Sequence, residues 1–248
     1  MTIQGHSRPK PNSVDLQTDY INILEQIGKA SAANIKIKLL IEQLEKTTIN
    51  RIEKSFNNWT LHLPVKLTKT SKEWSSTHSY WTSRDKLVSS YCYQFRKDLS
   101  DSLRQWTEEE LERIAKSYSA NIYSHIRIEF DKLDDLKMSS SRKSIFILHS
   151  CREKARYNHQ KSISDYYTLS YAGDEFTKKI GFFESSKIKV QVIDIGCTHI
   201  KKTELPKVRK DIIDRINSEV FTGVRKCTDD GFSCAISQYE NILESLGR

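Results

Sequence analysis

The chain has 248 residues, 37% hydrophobic and 29% charged. That is lean for a single globule of this size but too apolar for disorder. Only 8 glycines and 4 prolines interrupt it, which excludes a sandwich or barrel with a turn every ten or so residues. The net charge of +8 is concentrated: residues 138–210 carry 15 basic against 7 acidic side chains, a local surplus suited to anionic lipid, nucleic acid or an acidic protein.

In chain order, residues 1–12 are polar and read as a disordered arm with no apolar leader. From Val14 to Leu63 apolar residues recur at helical spacing. Tyr20, Leu24 and Ile27 begin the stripe, and Ile41, Leu44, Thr48, Ile52, Phe56, Trp59 and Leu63 continue it. Gly28 and Ser31 to Asn34 are weak helix formers, so a bend or break is expected there. Pro64 is expected to end the helix, because the residue before a proline avoids helical backbone angles. Residues 65–82 read as a polar connection carrying two tryptophans. Ser83 then stands in position to cap the next helix, with Asp85 in its first turn.

Residues 84–137 form the clearest helix. Their stripe is Val88, Tyr91, Phe95, Leu99, Leu103, Trp106, Leu111, Ile114, Tyr118, Ile122, Ile126, Phe130 and Leu133, with no Gly or Pro between. Such a rod would reach about 80 Å at roughly 1.5 Å per residue, so it needs another helix alongside it. The preceding helix can supply that partner. The stripe does not keep strict heptads, which favours bundle packing. Residues 138–187 break the pattern with basic, polar and Tyr-rich sequence; a helix is expected to start near Ser144 and a loop to lie near Gly173. Residues 188–202 have the β-branched content of a strand. Helical spacing returns from Lys207 to Leu246 at Ile212, Ile216, Val220, Ile236, Tyr239, Leu243 and Leu246, with Gly223 and Gly231 as soft spots.

Little in the chain speaks for catalysis. There is no GxxxxGK[ST], GxGxxG, HExxH or GxSxG, so no motif of this kind offers a phosphate cradle, metal pair or nucleophile elbow. His149, Cys151 and His159 match no zinc spacing. Glu108, Glu109, Glu110 and Glu112 fan around a helix instead of converging, which fits a solvated face. Five cysteines (Cys92, Cys151, Cys197, Cys227, Cys234) at wide spacing without CxxC read as reduced thiols of a cytoplasmic protein. Cys227 and Cys234, seven apart, read as small buried apolar side chains that could pair on oxidation. No run of 18 apolar residues exists, so no segment is expected to span a membrane. Tyr157, Tyr166, Tyr167 and Tyr171 lie among basic residues, a mixture suited to a membrane interface or a nucleic-acid strand.

Two stretches resemble the helical part of bacterial, especially cyanobacterial, dynamin-like proteins. One is LVSSYCYQFRKDLSDSLRQW, Leu87 to Trp106. The other is IKVQVIDIG from Ile188, followed by INSEVFTGVRK and AISQYENILES up to Ser245. The resemblance covers about 60% of the chain. It implies a membrane-remodelling GTPase family with a nucleotide-hydrolysing head, a helical neck and trunk, and a membrane-inserting tip between the trunk halves. It also favours helix over strand at residues 188–202. The chain shows no head, so no nucleotide-site residue carries over, and residues 138–187 are polar and basic where the family has an apolar hairpin.

The expected fold is therefore all-α: an elongated bundle of long antiparallel helices with an irregular basic insert. Its parts are an arm (1–12), the first half of a stalk (13–137), a basic tip (138–187) and the stalk return (188–248). The expected role is a non-catalytic interaction module without cofactor, metal or small-molecule substrate. It associates with itself or with a full-length dynamin-like protein, and touches anionic membrane from the cytoplasm. A basic helical nucleic-acid-binding protein is the alternative. The packing and interface residues are Val88, Tyr91, Phe95, Leu99, Leu103, Trp106, Ile114 and Tyr118. Contact with membrane or an acidic partner falls to Arg142, Lys143, Arg152, Lys154, Arg156 and Lys161.

Overall fold

Apolar residues at steps of three and four wind almost every described stretch into helix. The computed structural model describes residues 13–77, 83–133, 142–158, 180 and 185–246. Among these residues there is no strand. The helices are α1 (Ser13–Thr70), α2 (Arg84–Trp106), α3 (Glu112–Asp131), α4 (Arg142–Lys154), α5 (Ser185–Thr203), α6 (Leu205–Arg215) and α7 (Thr222–Leu246). Two π-helical turns, Thr107–Leu111 and Ile216–Phe221, join α2 to α3 and α6 to α7 without a break. The all-α expectation holds, and the β-branched stretch at 188–202 is helix.

The first π turn has a cause in the sequence. The stripe advances by three or four residues from Val88 to Trp106, then by five to Leu111. Five residues of ideal α-helix turn through about 500°, which would swing Leu111 about 140° away from Trp106. Widening the turn to i→i+5 bonding keeps both on the core face. Leu111 is fully buried, as is Thr107, whose hydroxyl donates to the Leu103 carbonyl at 2.8 Å. The same five-residue step separates Ile216 from Phe221, and both are buried.

Three expectations about local structure fail. Pro64 does not end α1, which runs on to Thr70. Proline removes one helical hydrogen bond, but Leu63 and Leu67 on either side are both buried, and their packing holds the backbone helical. The helix is not broken near Gly28, where Ala30, Ala33 and Ile37 lie on its buried face. The early stripe is also misassigned. Tyr20 and Leu24 face solvent, and Ile23, Gln26 and Ala30 are the buried residues. The reading from residue 41 onward fares better: Ile41, Thr48, Ile52, Phe56 and Leu63 are all buried.

The chain divides into two compact units, and α1 and α3 contribute to both. One comprises Leu44–Tyr118 and His159–Phe221. Its centre is an aromatic cluster in which Phe56 lies 5.4 Å from Trp59 and 5.4 Å edge-on from Trp106. Both indole N–H groups are satisfied: Trp59 donates to Ser102 Oγ and Trp106 to Ser55 Oγ, each at 3.1 Å. That pairing removes the cost of burying a polar tip with a large ring. Further along, α2 packs on α5, with the Phe95 ring set against Gly196. A Cβ there would stand 2.7 Å from Phe95 Cζ, so the glycine makes room for the ring. Lys189 donates to the carbonyls of Ser71 (3.1 Å) and Trp74 (2.6 Å) and lies 5.3 Å from the Tyr91 ring centre. A cation is thereby placed at the carbonyl-rich end of the α1 segment.

The other unit comprises Met1–Gln43, Ser119–Asn158 and Thr222–Arg248. Its core pairs Phe130 with Phe232 at 4.8 Å. Tyr239 donates to the Leu133 carbonyl at 3.3 Å. Glu129 accepts from Lys36 at 2.6 Å and from Lys132 at 2.9 Å.

Candidate functional site

The basic helix α4 is the site the sequence singles out. Leu148, Cys151 and Ala155 recur at three and four residues and are all buried. They seat α4 on α7. There Gly231 meets Ala155 so closely that a Cβ on the glycine would stand 2.9 Å from Ala155 Cα and 3.0 Å from its backbone nitrogen. Tyr157 covers Gly223 in the same way, so this tyrosine packs on α7 instead of presenting a free stacking face. Tyr166, Tyr167 and Tyr171 lie outside the described residues.

Seating those residues inward turns Arg152, Lys154 and Arg156 toward the surface, where they meet acidic neighbours. Arg152 pairs with Asp131 at 3.2 Å and Arg156 with Glu153 at 3.7 Å. The Arg156 guanidinium also lies 5.4 Å from the centre of the Tyr123 ring, within cation–π range. Tyr123 donates to Glu153 at 2.7 Å. Burial, aided by that bond to a carboxylate, pushes the Tyr123 phenol up. The bond from Tyr123 holds the Glu153 carboxyl below its usual range; burial opposes this, and the nearby Arg156, His149 and Arg152 add to it. Among the described residues, two of the three basic groups therefore have an acidic partner. Lys154 instead reaches the sulfur of Cys234 at 3.6 Å. Arg142 and Lys143 open α4, but their side chains, like Lys161, lie outside the described residues.

The expectation of five free thiols is corrected. Cys151 and Cys234 form a disulfide that joins α4 to α7 with a Cα–Cα distance of 5.4 Å, a separation that a disulfide spans. Cys234 therefore pairs with Cys151 and not with Cys227. The bond links residues 83 apart in sequence, and no short-range spacing could signal it. Cys92, Cys197 and Cys227 are not in disulfides. Burial pushes the Cys197 thiol up to about 12.

The eight residues named for packing, Val88, Tyr91, Phe95, Leu99, Leu103, Trp106, Ile114 and Tyr118, are all buried. Their cover comes from this chain: Trp106 meets Phe56 and Trp59, Tyr118 meets Phe221 at 4.7 Å, and Phe95 meets Gly196. These eight side chains are therefore not available to a partner. The glutamate cluster forms short-range surface bonds: Glu110 with Arg113 at 2.7 Å, Glu112 with Lys116 at 3.3 Å, and Glu109 with the Gln105 amide at 2.8 Å. Pairs of this kind contribute about 0–1 kcal/mol. Among the described residues, no group of three His, Cys, Asp or Glu side chains could hold a metal, and no helix is long and apolar enough to cross a membrane. An open groove of about 830 Å³ runs beside Arg51, Lys54, Asn58 and Arg113, with Leu61 and Ile114 also in its wall; its lining carries no Cys or His. No family model, curated protein or solved structure matches the chain.

Proposed function

We propose that the chain is a non-catalytic helical interaction module that associates with copies of itself, related to the trunk of dynamin-like proteins. The observation that carries this reading is the fate of the apolar side chains. The stripe from Val88 to Leu133 is wholly consumed by the chain's own core, yet Tyr20, Ile21, Leu24, Ile35, Leu39, Leu61 and Val65 remain exposed along α1. Exposed apolar residues gathered on one element mark an interaction surface more often than scattered ones do.

A stalk of antiparallel helices is part of the proposal. It is supported by the pairs Glu45–Tyr118, Ser55–Trp106 and Trp59–Ser102, in which the α1 number rises as the other falls. Contact with anionic membrane is assigned to Lys154 and the neighbouring Arg156. Sedimentation velocity over a range of concentrations tests the main claim, and reversible growth in mass is expected. GTP turnover that survives repurification would remove the reading. The membrane role predicts binding to phosphatidylserine vesicles that weakens with salt. Equal binding to neutral vesicles would remove that clause.

A further inference from the structure

We infer that the outward face of α1 from Ile21 to Leu39 is the surface on which two copies of this chain pair, with the two helices antiparallel. The inference deepens the self-association reading and rests on it.

Three observations lead there. The first is a second apolar stripe on α1. Ile21 (59% exposed), Leu24 (46%), Ile35 (62%) and Leu39 (56%) lie opposite the buried Ile23, Ala30, Ile37 and Ile41. At about 100° per residue the exposed four fall within a strip less than about 90° wide. An isolated surface helix does not need two apolar faces. One of them holds this stretch of α1 in its unit, and the other is left uncovered among the described residues.

The second is the order of sizes along the strip, which is nearly the same from either end. Large Ile21 and Leu24 lead to small Gly28 and Ala32, then to large Ile35 and Leu39. Reversed about residue 30, position 21 falls on 39, 24 on 36 (one from Ile35), and 28 on 32. A two-fold interface demands a surface that is complementary to itself, and this strip meets that demand. Gly28 stands at the middle with nothing within 4 Å of where its Cβ would be, so a second helix can approach closely at the crossing point.

The third is charge, which chooses the direction. Glu25 and Lys36 flank the strip on the same side. Their side chains stay 58% and 65% exposed although each has a partner, Lys29 and Glu129 respectively. Antiparallel pairing brings like flanks together, which sets Glu25 opposite Lys36 of the partner subunit, and the reverse. Lys29, on the same flank, stays paired with Glu25 at 2.8 Å; parallel pairing would instead set this flank against the one carrying Lys38, itself paired with Asp229 at 2.7 Å, and Glu25 and Lys36 would lose each other across the interface.

The test uses the full chain. Wild type is expected to show concentration-dependent dimer by sedimentation velocity, and Ile35→Glu/Leu39→Glu to remain monomeric with unchanged helicity by circular dichroism. Under oxidation, a mixture of Ile21→Cys chains and Leu39→Cys chains is expected to give a crosslinked dimer, and Ile21→Cys chains alone to give none. A wild type that stays monomeric at every concentration would overturn both this inference and the self-association reading. A dimer that survives Ile35→Glu/Leu39→Glu would keep self-association and overturn this face. Efficient crosslinking of Ile21→Cys alone would mean a parallel pair and overturn the arrangement. A monomeric wild type that binds vesicles through this face would also count against it.

Discussion

Gly231 of α7 and Ala155 at the end of α4 approach so closely that no side chain fits between them. In an exposed helix interior, replacing glycine with alanine gains roughly 0.5–1 kcal/mol. At position 231 the added methyl meets Ala155 backbone, which cannot swing aside, and overpacking of this kind costs about 1–3 kcal/mol. The sign therefore reverses. Gly231→Ala is expected to lower the unfolding free energy, and Gly28→Ala, where the space is open, to raise it. Urea melts of both variants in the Ile35→Glu/Leu39→Glu background, which leaves the α1 face unpaired, compare them directly. Equal gains at the two positions would mean that α4 does not sit on α7 at this distance.

The disulfide fixes the same two helices. Closing a loop of 83 residues restricts the unfolded chain, and a bond of this kind contributes about 2–4 kcal/mol. Dithiothreitol is expected to lower the melting temperature of wild type and leave Cys151→Ala/Cys234→Ala unchanged. Alkylation before and after reduction checks the pairing: two thiols should appear on reduction. Cys197 has its thiol pushed up to about 12, so it should resist iodoacetamide at pH 8 until denaturant is added. Labelling of Cys151 in the native, unreduced protein would contradict the assignment.

Glu129 should make stability sensitive to acid. Burial works to raise its carboxyl, but the bonds from Lys36 and Lys132 outweigh it, and the group titrates below its ordinary value of 4.5. A folded-state value below the unfolded one means that the stabilisation is complete above about pH 4.5. It is lost as pH falls through the depressed folded value. Unfolding free energy measured from pH 6 to pH 3 should fall more steeply in wild type than in Glu129→Gln. Parallel curves would mean that the two lysines do not hold the carboxylate.

How much of this was legible in the sequence depends on the residue. All thirteen stripe residues from Val88 to Leu133 are buried, because one apolar face on a helix free of Gly and Pro leaves a single way to pack. The N-terminal half of α1 has two apolar faces. Periodicity alone could not choose between Ile23 with Ile37 and Leu24 with Ile35, and only the tertiary partner decides. Pro64 shows the same competition: local preference argued for a stop, and the burial of Leu63 and Leu67 overrode it. Ser83 precedes α2 as expected, but its hydroxyl makes no cap bond; its carbonyl accepts from Leu87 N–H at 3.0 Å instead. At the candidate site, the basic residues of α4 were visible in the sequence. Their neutralising partners Asp131 and Glu153 were not singled out, and the link from Cys151 to Cys234 depends on folding at long range.

Gln26 points to a change that should strengthen the fold. It sits on the buried face of α1 between Ile23 and Ala30, itself only 7% exposed, and its side-chain oxygen is buried without a hydrogen-bond partner among the described residues. A buried acceptor left unpaired costs about 1–3 kcal/mol, because folding strips its water and returns nothing. Leucine has similar bulk and no such debt, so Gln26→Leu is expected to raise the unfolding free energy by about 1–2 kcal/mol. Gln26→Glu should do the opposite at neutral pH, since burying an unpaired carboxylate is worse than burying an amide. Its deficit should shrink on acidification, as protonation removes the charge. A Gln26→Leu variant no more stable than wild type would show that water or another group already serves the amide oxygen, and a Gln26→Glu variant as stable as wild type would show that α1 does not bury this position.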